Sequence, residues 1–460
     1  MSSAGGHSGG ASGGQLEDRI DFTAETEEKI QQAHNLIEAS HDNLREALAL
    51  LAALEKRCRV GNDTPSLVKV CETSLQLCKD CNDDEALAAT LKTLATRRSQ
   101  KSKAVSALVS KAIPWVLQGN TGGIPLDVQN DEQKQIREKL VVALREITDG
   151  KLFLEAERAR LTRALATIKE EDGLIAEAAD CLQEVHVETY GALSKREKVE
   201  FILEQMRLTL AKKDYIRAAI VSGKINRKVL AEEGMDKEKI KFFTLMTEYH
   251  RHEKDAFELS KDYHQIYLTP SIQADESLWR VAFQSTVLFL ALSPYSMEQQ
   301  EMLNRIKTDS NLEKIESCQA TIELLLKKEI AAYPTAHQGE LEGLEAFLAG
   351  GTDLSNHWRK TFHTRIVQHN VRVAALYYRR IHGKRLAELL GLDPMTLEKE
   401  ISNMVSDGSV YAKIDRPNDI IRFAAKKSPE AVLSDWAGDV SSLLNLVEKT
   451  THLIHKEMSQ

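Results

Sequence analysis

Apolar residues recur at intervals of three and four from about Leu16 to Ile330, with Gly, Pro or Asn-Asp pairs falling between the runs. This pattern predicts helix after helix. Leu44, Leu48, Leu51 and Leu54 form one such stripe. The clearest interruption, Gln118–Asp127, holds Gly119, Gly122, Gly123 and Pro125 and predicts a loop between helices. Between residues 150 and 268 a weak repeat of about 41 residues pairs a long helix with a second one across a short polar turn. The second helices align as Ile175, Ile216 and Phe257, followed three residues later by Ala178, Ala219 and Ser260. A small residue there lets two helices approach closely. A helix pair of this kind cannot bury its apolar face alone, so stacked hairpins of the tetratricopeptide type are expected. The Trp, Gly, Tyr and Pro of that consensus are mostly missing, and an irregular helical bundle is the alternative.

The pattern changes after Tyr333. Pro334–Asn356 contains Gly339, Gly343, Gly350 and Gly351 and predicts a loop with one short helix. Ile366–Ile381 then carries apolar or aromatic residues at 367, 371, 374, 378 and 381 and predicts a helix. A second short helix, Lys384–Leu390, closes on Gly391. Asp393 caps a third, with Pro394 at its first position, running to about Ser406. Asp407-Gly408 turns the chain, and Val410–Asp415 and Ile420–Phe423 predict two strands. Three helices followed by a hairpin is the order of a winged helix. After Pro429 one helix is expected to the end, with Leu433, Trp436, Val440, Leu443, Val447, Thr450 and Ile454 spaced as a heptad seam. So long a stripe calls for a partner, either its own chain or a bundle with other chains.

The predicted fold class is mainly α: a right-handed, tetratricopeptide-like solenoid, a winged helix and a long C-terminal helix. The segments are a disordered Gly/Ser-rich 1–15, a solenoid over 16–332, a loop-rich linker over 333–356, a winged helix over 357–427 and a terminal helix over 428–460.

Composition narrows the function. With 61 Lys+Arg against 69 Asp+Glu, the net charge is −8. This argues against a dedicated nucleic-acid or polybasic membrane binder. The most apolar run, Val281–Leu292, is too short to span a bilayer and contains Gln284, Ser285 and Thr286. The N-terminus lacks the charged-then-apolar pattern of a secretory signal, so the six cysteines are expected to be reduced.

Candidate chemistry is thin. Cys78 and Cys81 form a CxxC with no second ligand pair at zinc spacing and no βαβ setting for a redox role. His250 and His252, followed by Ser260 and Asp262, resemble the JAMM metal motif but fall one residue short of it. On a helix those two imidazoles diverge by about 200°, so exposed helix-end histidines are expected. Gly223-Lys224 and Gly383-Lys384 lack the rest of a phosphate loop. Acidic pairs such as Glu170-Glu171 belong on solvated helix faces. No enzyme, cofactor or metal site is expected. The winged helix raises DNA binding, but 384–411 holds three basic residues (Lys384, Arg385, Lys399) against five acidic ones (Glu388, Asp393, Glu398, Glu400, Asp407). That balance is wrong for a polyanion. Exposed strand edges suit docking to another protein better.

Helical repeats leading into a C-terminal winged helix resemble the PCI-domain family of the proteasome, the COP9 signalosome and initiation factor 3, with a PCI module here of about 240–427. Within it the chain is similar to the PCI subunits of the 26S proteasome lid. The similarity is carried by EAERARLTRALATIK at 155–169, VETYG at 187–191, VEFILEQMRL at 199–208 and KDYIR at 213–217. It continues in QHNVR at 368–372, AKIDR at 412–416 and NLVEKTTHLI at 445–454. It is specific from about 135 to the end, looser over 20–134, and fails in the N-terminus and in Pro334–Asn356.

The resemblance implies a non-catalytic, hetero-oligomeric scaffold, cytoplasmic and nuclear. Its partners would be other PCI and MPN lid subunits, the proteasome base and the core particle, with no nucleic acid and no membrane. Carried onto this chain, Val410, Ala412, Ile414, Ile420 and Phe423 would make winged-helix contacts. Leu433, Trp436, Val440, Leu443, Val447 and Ile454 would enter a helical bundle. The alternatives are a scaffold like COP9 signalosome subunit 4, or a winged-helix nucleic-acid or translation-factor component.

Overall fold

The computed structural model describes residues 21–40, 43–118, 123–126, 131–423 and 429–458. The Gly/Ser-rich start of the chain lies outside these residues, as does much of the Gln118–Asp127 loop. The described ends of that loop are tied together, with Gln118 N–H donating to Ile124 O at 2.8 Å and Leu126 N–H to Val116 O at 2.9 Å. The chain forms two compact units, 1–249 and 250–460.

The first unit is a succession of helices: α1 (Thr23–Ala39), α2 (Leu44–Val60), α3 (Thr64–Asp80), α4 (Asp84–Thr96), α5 (Ser102–Ala112), α6 (Asp131–Thr148), α7 (Glu155–Glu171), α8 (Ile175–Gln183), α9 (Lys195–Ala211) and α10 (Tyr215–Ser222). Each packs mainly on its near neighbours in sequence, as a solenoid requires. Leu51, Leu67, Leu75, Leu87, Leu108, Val141 and Leu161 are fully buried in one continuous core. α11 (Asp236–Glu253) crosses the division between the units.

The repeat is defined by its turns. Asn82, Lys213 and Lys254 all have positive φ, at 54°, 63° and 61°. Each is followed by an Asp whose carboxylate caps the next helix: Asp83 on Ala86 N–H, Asp214 on Arg217 N–H, Asp255 on Phe257 and Glu258 N–H. Gly173, at φ 80°, takes the same place before α8. Left-handed backbone costs a lysine roughly 1 kcal/mol, which the Asp cap offsets. Aligned on these turns, the buried positions are Ala178, Ala218 and Leu259, each 0% exposed. The sequence alignment is therefore one residue out between its first two units, and it puts Ile216, which is 78% exposed, in the wrong class.

A second regularity joins successive hairpins. Arg160 bonds Glu197 at 2.8 Å, Arg207 grips Glu170 through two bonds of 2.6 Å, and Lys241 pairs with Glu204, all between residues 37 apart. Glu170, expected on a solvated face, is thus a cross-hairpin anchor. Burial alone would raise the Glu204 carboxyl, but hydrogen bonds from Lys241 and Arg207 outweigh it and hold the acid below its ordinary value. Glu197 is lowered in the same way by Arg160 and Ser194. A depressed folded pKa stabilises fully above the unfolded carboxylate value of about 4.3. That contribution is lost as pH falls through the folded value. The first unit is accordingly expected to melt several degrees lower at pH 4 than at pH 7, with Glu204→Gln flattening that dependence. Calorimetry across this range checks it; a wild-type melt independent of pH refutes it.

The second unit continues with α12 (Ala256–Tyr267), α13 (Pro270–Gln273), α14 (Glu276–Leu292), α15 (Met297–Lys307), α16 (Glu316–Leu326), α17 (Gln338–Glu342), α18 (Glu345–Leu348) and α19 (Thr352–Tyr377). It ends with β1 (Arg380–His382), α20 (Gly383–Leu390), α21 (Pro394–Ser406), β2 (Lys413–Asp415), β3 (Ile420–Arg422) and α22 (Pro429–Met458). The expected linker is not a linker: α17 and α18 both lie within it. Leu341 and Phe347 are buried there with Phe289, Trp358 and Phe362.

The winged helix is present with a strand the sequence did not reveal. The helix expected to reach Ile381 stops at Tyr377, and Ile381 sits in β1 opposite Ile421. The sheet order is β1-β3-β2, fully antiparallel. Val371, Leu386, Leu397, Ile401, Met404 and Ile421 form its core. Asp393 caps α21 as expected, and Gly391 closes α20 in the left-handed region at φ 63°. Gly383 receives the wing: Asp419 O and Oδ2 accept from the N–H groups of Gly383 and Lys384 at 3.0 and 3.2 Å. A Cβ at Gly383 would fall 2.4 Å from Asp419 Oδ1, so any side chain there would push the Asp419 carboxylate from its place.

Candidate protein-interaction surfaces

The residues assigned to a winged-helix contact fall into two groups. Ile420 and Phe423 belong to the centre of the sheet and its end. β3 is paired on both sides, and Phe423 is only 7% exposed in the winged-helix core. Phe423 therefore offers little of its own side chain to solvent, although it lines a cleft beside Val410 and Tyr411. The strand expected over Val410–Asp415 is only Lys413–Asp415, so Ile414 lies in β2 while Val410 and Ala412 precede it, all three partly buried against the same core. β2 is an outer strand, paired only to β3 among the described residues. Its free edge carries unpaired backbone groups of the kind that accept another strand.

The terminal helix is the larger feature. α22 has 30 residues, about 45 Å at 1.5 Å per residue. Every side chain described on it is exposed. Leu433, Trp436, Val440, Leu443, Val447 and Ile454 are 61, 66, 39, 64, 55 and 54% exposed. The sequence seam omitted Leu444, Leu446, Leu453 and Met458, which are also exposed. At 100° per residue these additions widen the apolar face to about half the circumference. A two-stranded coiled coil covers a narrower stripe. The extra leucines at neighbouring helical positions were the signal for this, and a strict heptad count passes over them.

The polar run 368–370 serves an internal purpose. Gln368, His369 and Asn370 are 8, 5 and 4% exposed. Asn370 clamps Ala331 through both backbone groups at 2.8 Å, and His369 Nε2 lies 3.3 Å from Glu329 O. Burial lowers the His369 pKa, with the nearby Arg372 charge acting in the same sense. Three consecutive polar residues between the apolar pairs Ile366-Val367 and Val371/Val373 are the sequence sign of this clamp.

The residues weighed for chemistry are occupied structurally. His250 is not an exposed helix end: its Nδ1 lies 2.6 Å from the Asp262 carboxylate, with side chains 12 and 7% exposed. His252 faces solvent beside Glu253. Cys78 is buried with its sulfur 3.8 Å from Thr90 Oγ1, and burial pushes its thiol up to about 11. On α21, Glu398 pairs with Arg416 of the wing. Among the described residues no group of three His, Cys, Asp or Glu could hold a metal. No helix among them is long and apolar enough to cross a membrane.

Three families match successive parts of the chain. They are the PSMD12/CSN4 N-terminal family over residues 46–275, the PCI domain over 346–424, and the 26S proteasome regulatory subunit RPN5 C-terminal domain over 430–459. The last coincides with α22. Curated relatives agree along nearly the whole length. The 26S proteasome non-ATPase regulatory subunit 12 of Dictyostelium discoideum is 36% identical, with 91% of each chain covered. Homolog A of that subunit in Arabidopsis thaliana is 35% identical over 88% of this chain and 94% of its own. The 26S proteasome regulatory subunit RPN5 of Saccharomyces cerevisiae is 33% identical over 91% and 92%. With its solenoid, winged helix and terminal helix all matched in order, the chain belongs to the family of 26S proteasome non-ATPase regulatory subunit 12, also called RPN5.

Proposed function

We propose that this chain is a non-catalytic scaffold of the proteasome regulatory lid, working in cytoplasm and nucleus. It would be joined to other PCI and MPN subunits through the β2 edge and through α22, and would support ubiquitin-dependent degradation by holding the lid together with base and core particle. The observation that carries this reading is the exposed apolar face of α22. In proteins most helical stability comes from packing an apolar face, and every described side chain of α22 is left exposed on this chain. A face this broad fits a bundle of several helices. The match of α22 to a domain named for RPN5 favours the lid over the signalosome reading. The acidic balance around α21 disfavours the nucleic-acid one.

Trp436→Ala tests the bundle. A central aromatic anchor is worth on the order of 2 kcal/mol or more on truncation. The variant is expected to lose at least tenfold against wild type when the two compete for assembly into lid, with its own melting temperature unchanged. Equal incorporation would sink the bundle contact.

A further inference from the structure

A cleft of about 350 Å³ opens in the second unit between α15, the end of α16, α19 and the winged helix. Its lining includes Arg372, Lys327, Lys328 and His369, with Leu376, Val410 and Tyr411 at its apolar side, and contains no Asp or Glu. The lining is thus basic in a chain whose net charge is −8. The Arg372 guanidinium lies 4.3 Å from the centroid of the Tyr295 ring. Neither Arg372 nor Lys328 has a carboxylate partner among the described residues, whereas Lys327 is held by Glu323 at 3.0 Å. Burial pushes the Arg372 pKa down to about 10, with no carboxylate nearby to oppose it. A half-buried guanidinium with only the Tyr295 ring as its partner among the described residues keeps its donor fork available to a carboxylate.

We propose that this cleft receives an acidic side chain from a neighbouring protein subunit, its carboxylate seated on Arg372 and its flanking residues packed on Leu376 and Tyr411. Charge complementarity selects the occupant: a planar guanidinium fork matches a carboxylate. A cleft with an apolar side also favours a peptide over a bare ion. Val410 and Tyr411 lead directly into β2, so a chain docked along that edge would pass beside the cleft. The inference rests on the scaffold reading and adds to it the chemistry of one contact.

The test uses the full chain in assembled lid. Arg372→Gln removes a half-buried cation that has no carboxylate partner among the described residues, so the free variant is expected to melt close to the wild-type temperature. In competition with wild type for incorporation it is expected to fall by about tenfold or more. A photo-crosslinking residue at position 376 is expected to capture a partner peptide containing Asp or Glu. Changing that acid to Arg is expected to restore assembly of Arg372→Glu. The inference is overturned if Arg372→Gln assembles like wild type, or if its loss merely tracks a lower melting temperature. It is also overturned if the captured segments contain no acid. If inorganic phosphate stabilises wild type but not Arg372→Gln while assembly is equal, the site takes a small ion instead. A wild-type chain absent from lid overturns the scaffold reading itself, a result distinct from failure of the variant alone.

Discussion

A chain ending before Ser428 is expected to fold as the parent does and to be absent from assembled lid. The two halves of this expectation come from one fact. Every described side chain of α22 is exposed, so removing the helix deletes few contacts that stabilise the rest. The winged-helix core, from Val371 through Ile421 to Phe423, is complete without it. The truncated chain should therefore keep its helical content and its melting temperature within a degree or two. Incorporation should fall below detection, because the helix presents at least ten exposed apolar side chains, among them Trp436, Leu443 and Leu446. Fully burying each is worth about 1.5–3 kcal/mol. Sedimentation of reconstituted lid separates the outcomes. Truncated chain co-sedimenting with intact lid would show that α22 is not what joins the complex.

The largest stability loss is expected at Trp358. It is 0% exposed. Its ring meets Phe289 edge-on at a centroid distance of 5.7 Å, and His357 at 5.1 Å. It ties α19, which leads into the winged helix, to α14 and to the α17–α18 segment. Trp358→Ala leaves a cavity that a helix bundle cannot close by small shifts, at a cost of about 3–5 kcal/mol. In a unit of this size that lowers the melting temperature by about 10 °C. Trp358→Phe should cost much less. It keeps an aromatic ring, and the lost indole N–H has no hydrogen-bond partner among the described residues, so its removal relieves an unmet donor. Calorimetry of both variants checks the pair. An alanine variant within 1 kcal/mol of wild type would mean that the site collapses freely.

The winged helix was legible because its punctuation is local. Asp393-Pro394, Gly391 and Asp407-Gly408 each demand a particular backbone geometry, and the elements between them are short. β1 was hidden because one inward residue, Ile381, continues the helical stripe of α19; only its pairing with Ile421 across 40 positions distinguishes it. In the sequence of 333–356 four glycines mask the apolar anchors Leu341 and Phe347. In the structure Gly343 ends α17 and Gly351 precedes α19, so those glycines mark helix ends rather than a free loop. The ion pairs between residues 37 apart and the Arg372 cleft were out of reach for a simpler reason. Both are made by residues distant in sequence, and no local period announces which Glu meets which Arg. The seam of α22, by contrast, needed no tertiary information, and only its width was underestimated.

The most direct test of the scaffold reading is purification of the tagged full-length chain from native extract, with its partners quantified by mass spectrometry. Lid, base and core-particle subunits recovered in near-equal amounts is the predicted result. Recovery of signalosome or translation-factor subunits in their place, with proteasome subunits absent, would contradict it.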